Sequence, residues 1–138
     1  MKALHSVNEN LKQIRRELAL LARRKEARII GCPEKGMPSD WQPHQVINPE
    51  DGLPFTKSTA WYYIAKLLED SQQALEEIVL HHPPGKRAFV LHVDMGPHLP
   101  KLYIKLQLGS GKVIGRSFHY SEKEQIESSD DANRERRT

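Results

Sequence analysis

Apolar positions in the first part of the chain follow a helical period. Leu4, Val7, Leu11, Ile14, Leu18 and Leu21 recur at spacings of three and four. That spacing lines one side of a helix with an apolar stripe. Ser6, with Glu9 three residues on, has the capping-box spacing. Gly31 and Pro33 stop the pattern. The prediction is a basic amphipathic helix within residues 1–30 that fades over 27–30. Its other side carries Arg15, Arg16, Arg23, Arg24 and Arg28. The stripe is expected to dock on the body of the chain, or on a second copy as a homodimer through residues 4–21. The arginines suit solvent, nucleic acid or an acidic partner.

Residues 31–57 break the period. Residues 31–55 hold five prolines and three glycines in twenty-five positions, a density that interrupts both helix and strand. Trp41, Val46, Ile47, Leu53 and Phe55 are apolar, so this linker is expected to drape over the core. Asn48-Pro49-Glu50-Asp51-Gly52 reads as a turn. A second helix is predicted over residues 58–70, capped by Thr56 or Ser58, with Trp61, Ile64, Ala65 and Leu68 on one face. Residues 72–80 fit either a short helical turn or a strand.

The period then changes to two. Residues 87–94, 101–108 and 112–120 read as strands. Leu102, Ile104, Leu106 and Leu108 alternate with Tyr103, Lys105 and Gln107, the cleanest alternation in the chain. Gly109-Ser110-Gly111 suits a hairpin loop with a left-handed glycine. Gly115 is expected to mark a bulge that shifts the facing of the residues after it. The expected fold is α+β: helix, long loop, helix, then an antiparallel sheet of three or more strands. An α+β domain over 58–121 is followed by a charged tail, 122–138, expected to be disordered.

Composition narrows the function classes. The chain has 138 residues and one cysteine, too few for a TIM barrel or a disulfide framework. No apolar run approaches the roughly 20 residues of a membrane span, and the N-terminus has no signal-like apolar region. A cytoplasmic protein with no membrane partner is expected. The net charge of +3 conceals a mosaic. Residues 40–80 hold seven acids against two lysines, whereas residues 81–121 hold six Lys/Arg against Asp94 alone. Five of the seven histidines also fall in 81–121.

Those histidines (His81, His82, His92, His98 and His119) lack zinc-site spacing, so no metal is expected. The run GSGKVIG lacks the phosphate-loop spacing, and Cys32 has no evident base beside it. No cofactor is expected. The hairpin carries the chemistry instead. Tyr103 and Lys105 are expected to lie across from about 115–118, with His119 at the open end. A phenol, an ammonium, the Arg116 guanidinium and an imidazole on one sheet face suit RNA cleavage without a metal. Such cleavage needs a base for the 2′-hydroxyl proton, a cation for the phosphorane and an acid for the leaving 5′-oxygen. His119 can serve as acid or base, Lys105 and Arg116 can bind phosphate, and Tyr103 can position a hydroxyl or stack on a base. The same polar set also suits an ordinary exposed hairpin face.

Residues 102–121, LYIKLQLGSGKVIGRSFHYS, resemble the C-terminal hairpin of the MqsR-like branch of RelE-type bacterial toxins. That branch has a Tyr-x-Lys strand, a short loop, and a last strand running through Ser-Phe to a basic residue. The resemblance implies a RelE-like α+β fold and a metal-independent endoribonuclease that leaves 2′,3′-cyclic phosphate ends. It further implies RNA, in some cases on the ribosome, as substrate and an antitoxin protein as partner. By position, Tyr103 matches the catalytic tyrosine and His119 stands where the family commonly has lysine. Lys86, Arg87, His92 and Tyr120 are the candidates for holding substrate. The long Pro/Gly loop and the basic first helix depart from the family pattern. The competing expectations are a non-catalytic nucleic-acid- or protein-binding module on the same fold, and a partner-regulated protein that docks through its first helix.

Overall fold

The computed structural model describes residues 2–31, 39–80 and 85–121, with side chains of the first helix from residue 10 onward. Helix α1 spans Lys2–Ala22 and α2 spans Lys57–Glu69. Strands β1 (Arg28–Ile30), β2 (Glu76–Val79), β3 (Arg87–Val93), β4 (Leu102–Leu108) and β5 (Val113–Tyr120) form one sheet in the order β1-β5-β4-β3-β2. The pairings are antiparallel except β1 with β5, which is parallel. The molecule is α+β; its sheet has five strands and is mixed, where an antiparallel sheet of three or more strands was expected.

Local chemistry accounts for most of these elements. Thr56 caps α2 through a full capping box with Thr59, which satisfies two backbone donors reciprocally. Ala60, Trp61, Ile64, Ala65 and Leu68 are buried along its inner face. The 48–52 turn closes through Gly52 N–H donating to the Asn48 carbonyl at 2.8 Å, with Gly52 at φ 74°. Gly111 takes the left-handed position of the β4–β5 loop at φ 69°. Val46 and Phe55 of the long loop are buried in the core.

The start and end of the first helical segment differ from the expectation. Ser6 lies inside α1 and is therefore not its cap. The helix stops at Ala22, a 3-10 turn follows at Lys25–Ala27, and Arg28–Ile30 enters the sheet. Arg28 explains part of this, because its Nε donates to the Ala22 carbonyl at 2.8 Å and closes the helix C-terminus. Residues 72–80 resolve to the strand β2. The 122–138 tail, Cys32, His81 and His82 lie outside the described residues.

The core sits between the helices and one face of the sheet. Leu18, Leu21 and Ala22 of α1 join Trp61 and Ile64 of α2, with Leu91, Leu102, Ile104, Leu106, Val113 and Phe118 beneath. Leu11 and Ile14 pack at its margin. The stripe from Leu11 to Leu21 therefore packs inside its own chain. Three of the arginines behind it are held by contacts within the chain. Arg15 donates to the carbonyls of Leu67, Leu68 and Asp70 at the end of α2. Arg23 makes a two-pronged pair with Glu69, and Arg28 closes α1. No helix among the described residues is long and apolar enough to cross a membrane.

Candidate functional site

The helices cover one face of the sheet, and strand register determines what stands on the other. Tyr103 lies opposite His92 on β3 and His119 on β5. Cross-strand partners share a face, so these three side chains form a row. The ring centroids are 5.4 Å apart for His92–Tyr103 and 5.5 Å for Tyr103–His119. One step along the strands, Lys105 stands between Val90 and Ser117. Glu76 of β2 pairs with Val90, which places it on the same face.

A bulge makes this row. Lys105 pairs with Ser117 but Leu106 pairs with Gly115, so Arg116 is the extra residue on β5. A strand without the bulge would put Phe118 on this face and His119 in the core. With the bulge, Phe118 is buried and His119 is half-buried on the outer face. The residue before the bulge has to be small. A Cβ built on Gly115 would come 2.5 Å from the Trp41 ring, which packs on Trp61 and Phe118.

A hydrogen bond orients the His119 imidazole. His119 Nδ1 lies 2.8 Å from the Tyr120 carbonyl oxygen. A carbonyl can only accept, so Nδ1 carries the proton and Nε2 of the neutral ring keeps the lone pair. His92 Nε2 lies 3.6 Å from Glu76 Oε1. The Gln73 side chain donates to the His92 carbonyl at 3.1 Å and ties that strand down. Burial pushes the Tyr103 phenol above its ordinary value, and the carboxylates of Glu76 and Asp40 push the same way. Tyr103 is therefore a neutral hydroxyl near neutral pH, a group able to donate a hydrogen bond. Asp40 reaches this region because residues 40–42 run beside β5: Phe118 N–H donates to the Asp40 carbonyl, and Gln42 N–H to the Phe118 carbonyl.

The sequence-derived candidates separate by position. Tyr103, His119, Lys105 and His92 come together. Arg116 shares the face but leans toward β1, where its guanidinium would lie 3.0 Å from a Cβ built on Gly31. Lys86 precedes β3 and is exposed; it stands six positions before His92, about 20 Å along a strand. Arg87 has the opposite facing to His92, pairs with Glu77 and lies over the Phe89 ring. Tyr120 turns toward the long loop, where its hydroxyl accepts from Ile47 N–H at 3.2 Å. Its side chain is a tie between loop and sheet. The register expected for the hairpin, with Tyr103 across from 115–118, is corrected to Tyr103 directly across from His119.

Glu76 and Asp40 were not found from the sequence. Both lie in segments whose place in the sheet has no local signature. Among the described residues, no group of three or more His, Cys, Asp or Glu is arranged to hold a metal ion. The chain matches no protein-family model, and it has no match among curated proteins or solved structures.

Proposed function

We propose that the outer sheet face cleaves single-stranded RNA by transesterification to a 2′,3′-cyclic phosphate, without a metal, as in the RelE/MqsR-like toxins that residues 102–121 resemble. The supporting observation is the row His92–Tyr103–His119 with Lys105 beside it. It supplies two imidazoles, a neutral hydroxyl donor and an ammonium for phosphate. Arg116 adds a second cation at the β1 side of the face. An open sheet face suits an unpaired strand, whose bases can be splayed over rings. The RelE-like relationship, a cytoplasmic setting and an antitoxin partner belong to the same proposal. Purified protein, free of any partner, is incubated with RNA in excess chelator, with and without ribosomes. Cleavage with cyclic-phosphate ends is expected. RNA left intact under both conditions rules the reading out.

A second reading rests on the same openness. The ring row with adjacent cations is also a platform on which RNA binds without turnover. Binding that weakens steeply with salt, together with intact RNA, would establish that reading instead.

A further inference from the structure

We infer that the outer face holds a base-binding subsite beyond Lys105, where Ile29 and Ile114 carry the flat of an adenine and the Gln107 amide meets its edge. The inference rests on the reading of this face as an RNA surface, with or without turnover.

Strand register places the three residues side by side. Gln107 on β4 pairs with Ile114 on β5, and Ile114 pairs with Ile29 on β1. Their chain neighbours Leu106, Leu108, Val113 and Ile30 belong to the core under the helices, so the three themselves face outward. They form a second cross-strand row, parallel to His92–Tyr103–His119. Between the two rows stand Lys105 and, across from it on β5, Arg116. Each step from Tyr103 to Lys105 to Gln107 is two residues, about 6.8 Å along the strand.

The far row has the chemistry of a base seat. Ile29 is 42% exposed, a large apolar side chain open on the sheet surface, and Ile114 is half-buried beside it. Nucleobases are held by their flat faces on apolar as well as aromatic side chains. Gly31 keeps this seat next to the cation, because a Cβ there would meet an Arg116 guanidinium nitrogen at 3.0 Å and Ile114 Cγ2 at 3.2 Å. Gln107 Oε1 is buried and meets no hydrogen-bond partner among the described residues, an arrangement that costs free energy. The terminal torsion of a glutamine is broad, so Oε1 turns outward without giving up a hydrogen bond of its own. An apolar partner would cover this amide unpaired. A base supplies both a flat apolar face and a polar edge, and its phosphate falls to Lys105 and Arg116.

The amide also favours one base. It offers an acceptor and a donor side by side. The Watson–Crick edge of each of the four bases meets such a pair. On the other edge only adenine does so, with the N6 donor beside the N7 acceptor; guanine presents two acceptors there. Adenine therefore has two ways to seat and each other base has one. The ring row, the cations and the amide row together suit two splayed bases with one phosphate between them.

Binding of 2′-fluoro nonamers, which lack the O2′ needed for cleavage, tests the subsite under either reading of the face. All-adenine, all-cytosine, all-uracil and alternating guanine–uracil strands are titrated by fluorescence anisotropy. Wild-type protein is expected to bind the adenine strand about fivefold more tightly than the others, the lower end of what a two-bond contact to a base gives. Gln107→Leu is expected to lose that preference while its affinity for the other three strands stays within twofold of wild type. Gln107→Met replaces it where circular dichroism shows the leucine variant unfolded. Wild-type protein without an adenine preference, or a Gln107 variant that keeps it, overturns the subsite and leaves the RNA reading in place. Wild-type protein that neither binds these strands nor binds or cleaves unmodified RNA overturns both.

Discussion

At Gly115 the absence of a side chain lets Trp41 lie on the sheet. A Cβ there would sit 2.5–2.6 Å from two ring atoms, inside any normal contact. Trp41 also packs against Trp61 at 5.1 Å between centroids, so the ring has little room to retreat. Gly115→Ala is expected to destabilise the fold by about 1–3 kcal/mol through overpacking, read as a lower urea midpoint. An unchanged midpoint would mean that Trp41 shifts without cost. Tyr63 and Tyr103 give the residue scale a pH signature. Burial is the largest cause of the raised value in both, followed by Glu50 for Tyr63 and by Glu76, then Asp40, for Tyr103. The folded state therefore holds these protons more tightly than the unfolded state. That contribution is complete below the unfolded value of about 10 and is lost as pH rises through the folded values. Urea midpoints are expected to fall between pH 8 and pH 11, and to fall less in the Tyr63→Phe, Tyr103→Phe double variant.

Among the elements, α1 changes most between its sequence pattern and its place in the fold. Its stripe has coiled-coil spacing, yet Leu18, Leu21 and Ala22 are buried against α2 and the sheet. Arg15 answers the last carbonyls of α2, where a cation is also favoured by the helix dipole. Deleting residues 1–22 is thus expected to abolish cooperative unfolding of the whole domain, since each buried leucine contributes about 1.5–3 kcal/mol. Loss of self-association with the remaining domain still folded would instead make α1 a docking element. The β4–β5 hairpin shows the opposite case. Its alternation, glycine loop and bulge were all legible, because each depends on residues within a few positions. Only the register was misplaced: the bulge absorbs one residue, and Tyr103 meets His119 directly.

For the molecule as a whole, charge by segment was a partial guide. The basic 81–121 stretch does carry Lys105, Arg116, His92 and His119 on one face, but it also carries Lys86 and Arg87 at the far end of β3, where Arg87 is paired with Glu77. The acidic middle supplies Glu76 and Asp40 to the rim of that face. A sum over a segment cannot separate these, because neighbouring residues on a strand point to opposite faces.

Sequence alone determined the helix α2, the turn at 48–52, the period-two strands and the hairpin with Tyr103 and Lys105 on one side. These follow from side-chain periodicity and from backbone angles that only certain residues adopt. Tertiary structure decided that Arg28–Ile30 joins β5 in parallel, that Glu76–Val79 is an edge strand, and that β4 lies centrally between the two histidine-bearing strands. It thereby brought His92, Tyr103, His119 and Glu76 together. Pairing between distant strands is selected by how the whole chain buries its apolar surface, which no local window contains.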